Sequence, residues 1–238
     1  MFKKIITTIL AVSFIYPQVN VDKFKQLSED ITTPNTYRTA AGYPGHDYWQ
    51  QEADYVMNLT IDDETQRLYG EETITFHNNS PDQLSYLWLQ LDQNIRKKNA
   101  PNLDKNSSGN SVSQSPSSFL RNYTNEDFDG GFTINSVQDI EGNILPFKIN
   151  QTMMRVDLKK ALAPGQVFEF KIDWWYNINN RMEYGGRSGY ETFENDVNKV
   201  YTIAQFFPRL CVYNDVEGWQ NFQFWGNGEF ALEFGDYE

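Results

Sequence analysis

Residues 163–178 read APGQVFEFKIDWWYNI, and no other stretch restricts the possible folds so tightly. Pro164-Gly165 is a turn signature. Beyond it Phe168, Phe170, Ile172, Trp174 and Tyr176 alternate with Glu169, Lys171 and Asp173. A period of two belongs to a strand, and apolar-in, charge-out alternation belongs to an antiparallel strand with one face wet.

The same signal recurs upstream. In residues 54–61, Tyr55, Met57, Leu59 and Ile61 share one parity. Asp62-Asp63-Glu64 then forms a charged turn into a return strand, RLYGEETITFHN, with Leu68, Ile74 and Phe76 on one side. NNSPDQ is a turn. LSYLWLQL is apolar on both faces, with Leu87, Leu89 and Leu91 opposite Tyr86 and Trp88, which implies a central or covered strand. Residues 131–137, 144–150 and 152–158 add strand signals, with Glu141-Gly142-Asn143 as a tight turn. Aromatics make up 16% of the chain, which also favours strands. The expected class is all-β, with antiparallel sheets in a saddle-like or sandwich-like arrangement.

Around this sheet system the chain divides into parts. Lys3 and Lys4 precede an apolar run at residues 5–16, so residues 1–20 read as a signal peptide. Secretion or periplasmic export follows, with no integral membrane segment after cleavage. Residues 21–50 read as an irregular arm, with Tyr43, Tyr48 and Trp49 placed to pin it to a sheet. Residues 51–238 form the β domain, interrupted by a Ser- and Asn-rich surface loop at 97–129 and a short helix at 93–98. The closing residues put Phe230, Leu232 and Phe234 on one parity, and the strand pattern still runs at Glu238, as in a chain cut within a domain.

The formal net charge of −12 argues against a nucleic-acid partner, which would need clustered Lys and Arg. A single cysteine, Cys211, rules out an internal disulfide and reads as a small buried hydrophobe. With two histidines, His46 and His77, the chain lacks H-E-x-x-H, and both read as turn or surface residues. There is no G-x-S-x-G elbow, and the glycines around Arg187 do not match a phosphate-binding loop. No catalytic centre is evident.

The densest stretch is residues 201–219, YTIAQFFPRLCVYNDVEGW. Tyr201, Ile203 and Phe207 suit a strand that Pro208 ends. Asp215 is placed either to pair with Arg209 or to cap a helix at Val216-Glu217. Gln205 is a neutral amide among aromatics. It suits recognition of a polar end group, and core hydrogen bonding explains it equally well.

That stretch, with NSPDQLSYLWLQLDQNI at 79–95 and GEFALEFGDYE at 228–238, resembles the N-terminal β domain of zinc aminopeptidases of the aminopeptidase N family, closest to secreted Bacteroidetes-type members. The resemblance covers residues 35–238. It implies a fragment preceding a thermolysin-like catalytic domain that carries G-x-M-E-N and H-E-x-x-H. Peptides are the implied substrates, and zinc the cofactor of the full-length parent, with none in this fragment, which alone is inactive. In that family a Gln or Glu of this domain holds the substrate α-amino group, and Gln205 occupies the matching segment. The usual Gln-x-Gln/Glu pattern is here Gln205-Phe206-Phe207, so Gln205 is either the contact or structural. The alternative is a stand-alone β-sandwich module binding glycan or protein through an exposed Trp88, Trp174 or Trp175.

Overall fold

The computed structural model describes residues 34–98, 100, 128–184, 187–193, 198–226 and 231–238. The expected signal peptide lies outside these residues, as does most of the 97–129 loop.

Strands β1 (Glu52–Asp62), β2 (Arg67–His77), β4 (Thr133–Asp139) and β7 (Val167–Asn177) form one antiparallel sheet in the order β1-β2-β7-β4. A second sheet has the order β10-β3-β6-β5, built from β3 (Leu84–Gln90), β5 (Phe147–Asn150), β6 (Met153–Leu162) and β10 (Arg209–Leu210). The small pairs β8 (Gly189–Thr192) with β9 (Lys199–Thr202), and β11 (Tyr213–Asn214) with β12 (Gly218–Trp219), are the other strands among the described residues. One turn of 3-10 helix, Asp92–Arg96, and a short helix α1, Arg181–Tyr184, are the helical pieces among the described residues.

The predicted alternation is what β7 shows. Phe170, Ile172, Trp174 and Tyr176 are buried against Phe76, Ile74 and Leu68 of β2. Leu87 and Leu89 of β3 with Met154 and Val156 of β6 supply the facing wall, so the two sheets close one apolar core. A fully buried large side chain contributes about 1.5–3 kcal/mol, and this core is the main source of stability.

Two of the close approaches that need glycine bear on the first sheet. A Cβ on Gly70 would stand 2.2 Å from the ring of Trp174, so β2 opens a notch for that indole. A Cβ on Gly235 would stand 1.8 Å from the Ala53 carbonyl oxygen. That second contact belongs to the closing segment, which differs from expectation. It lies parallel to β1: Ala53, Tyr55 and Met57 donate backbone N–H groups to the carbonyls of Phe234, Asp236 and Glu238, and Glu238 donates back to Tyr55. Leu232 and Phe234 are exposed, and Glu233 points inward. The parity is reversed because the Glu233 carboxylate accepts the Tyr213 N–H at 2.6 Å, an anchor that apolar patterning does not register.

The arm is fastened by part of the expected aromatic set. Tyr43 is 71% exposed. Trp49 stacks on Tyr213 at 5.7 Å, and Arg38 lies over the Tyr48 ring while its Nε meets both oxygens of Asp215 at 2.9 and 2.8 Å.

Candidate functional site

Between β9 and β10 the chain runs Ile203-Ala204-Gln205-Phe206-Phe207-Pro208 without regular structure. Gln205 is exposed and its φ is 52°, in the left-handed region. Gln66 and Gln151 share that conformation, but each sits in a turn between paired strands, where it is ordinary. In an open segment the conformation costs about 1–3 kcal/mol and persists only where the surroundings impose it. Here a buried amide imposes it. Gln93 Nε2 donates to the carbonyls of Ala204, at 2.8 Å, and Gln205, at 3.1 Å. Arg96 fixes Gln93 in turn by donating to its Oε1 at 2.7 Å. Ala204 N–H donates to Ser188 Oγ at 3.3 Å. The backbone of Gln205 is thus held from below while its side chain faces solvent.

The floor under this segment is a buried ion pair. Arg209 Nε donates to Asp92 Oδ2 at 2.9 Å, with side chains only 7% and 1% exposed. Burial raises the Asp92 pKa, and the Arg209 guanidinium partly offsets this. The expected alternatives for Asp215 are both replaced. Asp215 binds Arg38, because β10 pairing places Arg209 opposite Gln90 and directs it to Asp92. No helix starts at Val216. Asn214 Oδ1 accepts the N–H groups of Val216 and Glu217, closing the β11–β12 hairpin. Phe207 meets Tyr55 edge-on at 5.3 Å, and the Tyr55 hydroxyl accepts the Leu210 N–H at 2.9 Å, which ties β10 to the opposite sheet. Cys211 is buried and its thiol pKa is pushed up by that burial, which suits a packing role.

Beside Gln205 lies an apolar groove of about 460 Å³, lined by Leu59, Ile61, Leu68, Ile203 and Phe206. The inward parity of β1 is buried at Ala53 and Tyr55 but emerges here, with Leu59 and Ile61 each 43% exposed. An amide at the rim of an apolar trough can hold a polar end group next to a hydrophobic side chain.

Among the described residues no set of three metal-ligating side chains faces Gln205. The one such group, Glu52, Asp54 and His77, lies toward the other end of β1, so the residues beside Gln205 do not fit a zinc centre. The aromatic platform is not assembled either. Trp174 is completely buried, Trp88 and Trp175 are half-buried, and Arg67 covers the Trp175 ring at 4.5 Å. Sequence patterning passed over Gln93 and Arg38. Their roles depend on partners 112 and 177 positions away.

A scan against protein-family models matched none, and a search of curated proteins found no match. Among solved structures, similarity is found to an M1 zinc metallopeptidase from Deinococcus radiodurans, at 14% identity over 58% of this chain and 23% of that one, with a TM-score of 0.34. A mutant of an M1 zinc metallopeptidase from the same organism, bound to a Tyr-Ser-Ala substrate, gives 13%, 58%, 23% and 0.34 on the same measures. A two-domain M1 zinc metallopeptidase mutant bound to L-tryptophan gives 14%, 63%, 26% and 0.36. This chain spans about a quarter of the length of those proteins. At such scores the likeness fixes neither fold nor activity for this chain.

Proposed function

We propose that this chain is the cleft-shaping β domain of a secreted or periplasmic zinc metallo-aminopeptidase, and that Gln205 accepts a hydrogen bond from the free α-ammonium of a peptide substrate. The observation that carries the reading is the exposed Gln205 side chain on a left-handed backbone, clamped from beneath by the buried Gln93. A preset acceptor loses little conformational freedom on binding, and its bond to an ammonium is charge-assisted. Support also comes from the sequence resemblance of residues 202–219 and from the open apolar groove between Leu59 and Phe206. Part of that groove receives the substrate side chain, and its outer margin is the seat of a downstream catalytic domain. Zinc belongs to that domain, and the residues described here add binding and register only.

The test is kinetic, in the complete native gene product. A hydrogen bond to a charged group contributes about 1.5–3 kcal/mol, so Gln205→Ala is expected to raise KM for amino-acid p-nitroanilides about tenfold to a hundredfold. Thermal stability should stay unchanged, since Gln205 lends only its backbone to the fold. An unaltered KM would remove Gln205 from the site. A complete gene product without aminopeptidase activity would remove the whole reading.

A further inference from the structure

At the start of β1 and the end of β2, three side chains capable of holding a metal project from one face. Glu52 and Asp54 are two apart on β1 and so share that face, and His77 stands directly across from Glu52 in the β1–β2 register. One ligand atom from each lies within 4.8 Å of the others. Asp54 Oδ2 and His77 Nε2 are 3.1 Å apart. Two ligands on a tetrahedral zinc ion at bond lengths of about 2.0–2.1 Å are about 3.3 Å apart. In the structure that pair is joined by a direct hydrogen bond, which an ion would replace with little movement of either side chain, and the longer Glu52 side chain is exposed and free to close in.

Two further features favour an ion here. The Asp54 carboxylate is oriented by a group outside the cluster: its Oδ1 accepts the Asp236 N–H at 2.9 Å, which turns Oδ2 toward His77. Metal-bound carboxylates are held by such outer hydrogen bonds. Second, Asp54 and His77 are 31% and 29% exposed, so an ion can enter without unfolding the sheet. Two carboxylates and a neutral imidazole carry two negative charges, which a divalent cation balances. The mixed nitrogen and oxygen set suits Zn²⁺ or Co²⁺ better than the all-oxygen preference of Mg²⁺ or Ca²⁺.

We infer that Glu52, Asp54 and His77 form a surface site for a divalent transition-metal ion of the Zn²⁺ class, with water completing the coordination. The inference stands independently of the peptidase reading. Through the Asp54–Asp236 hydrogen bond the ion fastens the closing segment to the first sheet, which gives it a structural effect.

Zn²⁺ titrated calorimetrically into the purified chain is expected to bind at one site and to raise the Tm. Co²⁺ in its place should give the intense visible absorption of a low-coordinate ion. Losing even an outer hydrogen-bond partner of a ligand costs about tenfold to a hundredfold in affinity, so His77→Ala and Glu52→Gln, which remove ligands, are each expected to lower it at least about tenfold, and His46→Ala to leave it unchanged. Glu52 is exposed, so its variant retains the fold even if His77→Ala does not. Absence of saturable Zn²⁺ binding, or equal binding by the Glu52→Gln variant and the parent, would overturn the site.

Discussion

Glu72 is the residue whose environment is least comfortable. It sits mid-strand in β2 on the side of Leu68, Ile74 and Phe76, is 2% exposed, and neither carboxyl oxygen has a hydrogen-bond partner. Burial drives its pKa well above the usual carboxylate range. The Trp174 indole N–H eases this slightly while falling short of hydrogen-bonding geometry. Glu233 behaves alike, its pKa pushed up to about 7 by burial against the Tyr213 N–H that it accepts. Both groups bind a proton more tightly in the folded state than in the unfolded chain, where a glutamate titrates near about 4.3. The folded state is therefore favoured at low pH, and that stability is lost as pH rises from about 4.3 through 7 and on toward the higher pKa of Glu72. Urea unfolding at pH 5 and pH 8 is expected to give the lower midpoint at pH 8, with a smaller difference in Glu72→Gln. Glu72→Leu should be neutral or stabilising by about 1–3 kcal/mol, because it replaces an unpartnered buried polar group. A larger pH difference in Glu72→Gln than in the parent would contradict this assignment.

Among the elements, the arm at residues 34–50 hangs on few contacts, with Arg38–Asp215 the strongest. The hydrogen bond to Asp215 raises the Arg38 pKa further, so the Arg38 guanidinium stays charged at all ordinary pH values. Asp215→Ala is expected to free the arm and leave the sandwich intact. Trypsin should then cut after Arg38 several-fold faster under native conditions, with Tm little changed; an unchanged cleavage rate would show that Trp49 alone suffices. How much of this was legible in the sequence varies with the range of the interaction. Strand existence was plain, because a period of two is local, and the turns at Gly142 and Gly165 follow from their residue types. Patterning named Leu68, Ile74 and Phe76 on the inner side of β2 and passed over Glu72 between them, where the strand overrides the acid. Pairing was less accessible: β2 and β7 meet with Glu72 opposite Ile172, a partnership no neighbouring residue encodes. At the candidate site Gln205 itself was visible as an amide among aromatics. Its left-handed backbone was not, because the Gln93 that imposes it belongs to a distant 3-10 turn. The closing residues misled because a single carboxylate anchor, Glu233, outweighed the apolar positions Leu232 and Phe234.

For the molecule as a whole, two sheets share one core, yet the apolar face does not stop where the core stops. Leu59, Ile61, Ile203 and Phe206 carry it out to a groove in contact with solvent. The folded chain is expected to bind the dye ANS in native buffer, and Ile61→Lys should reduce that fluorescence by at least about half without lowering Tm. Dye binding equal in both proteins would place the exposed apolar surface elsewhere. At the same strand's other end the situation is reversed. Open sheet edges invite unwanted pairing between molecules, and natural proteins cover or blunt them. Residues 234–238 lie along β1 and occupy the N–H groups of Ala53, Tyr55 and Met57, with Gly235 letting the two backbones touch. That short ribbon works as a selvage: it finishes the woven edge, so that a molecule stripped of it would be left with a free hem onto which another copy could be stitched.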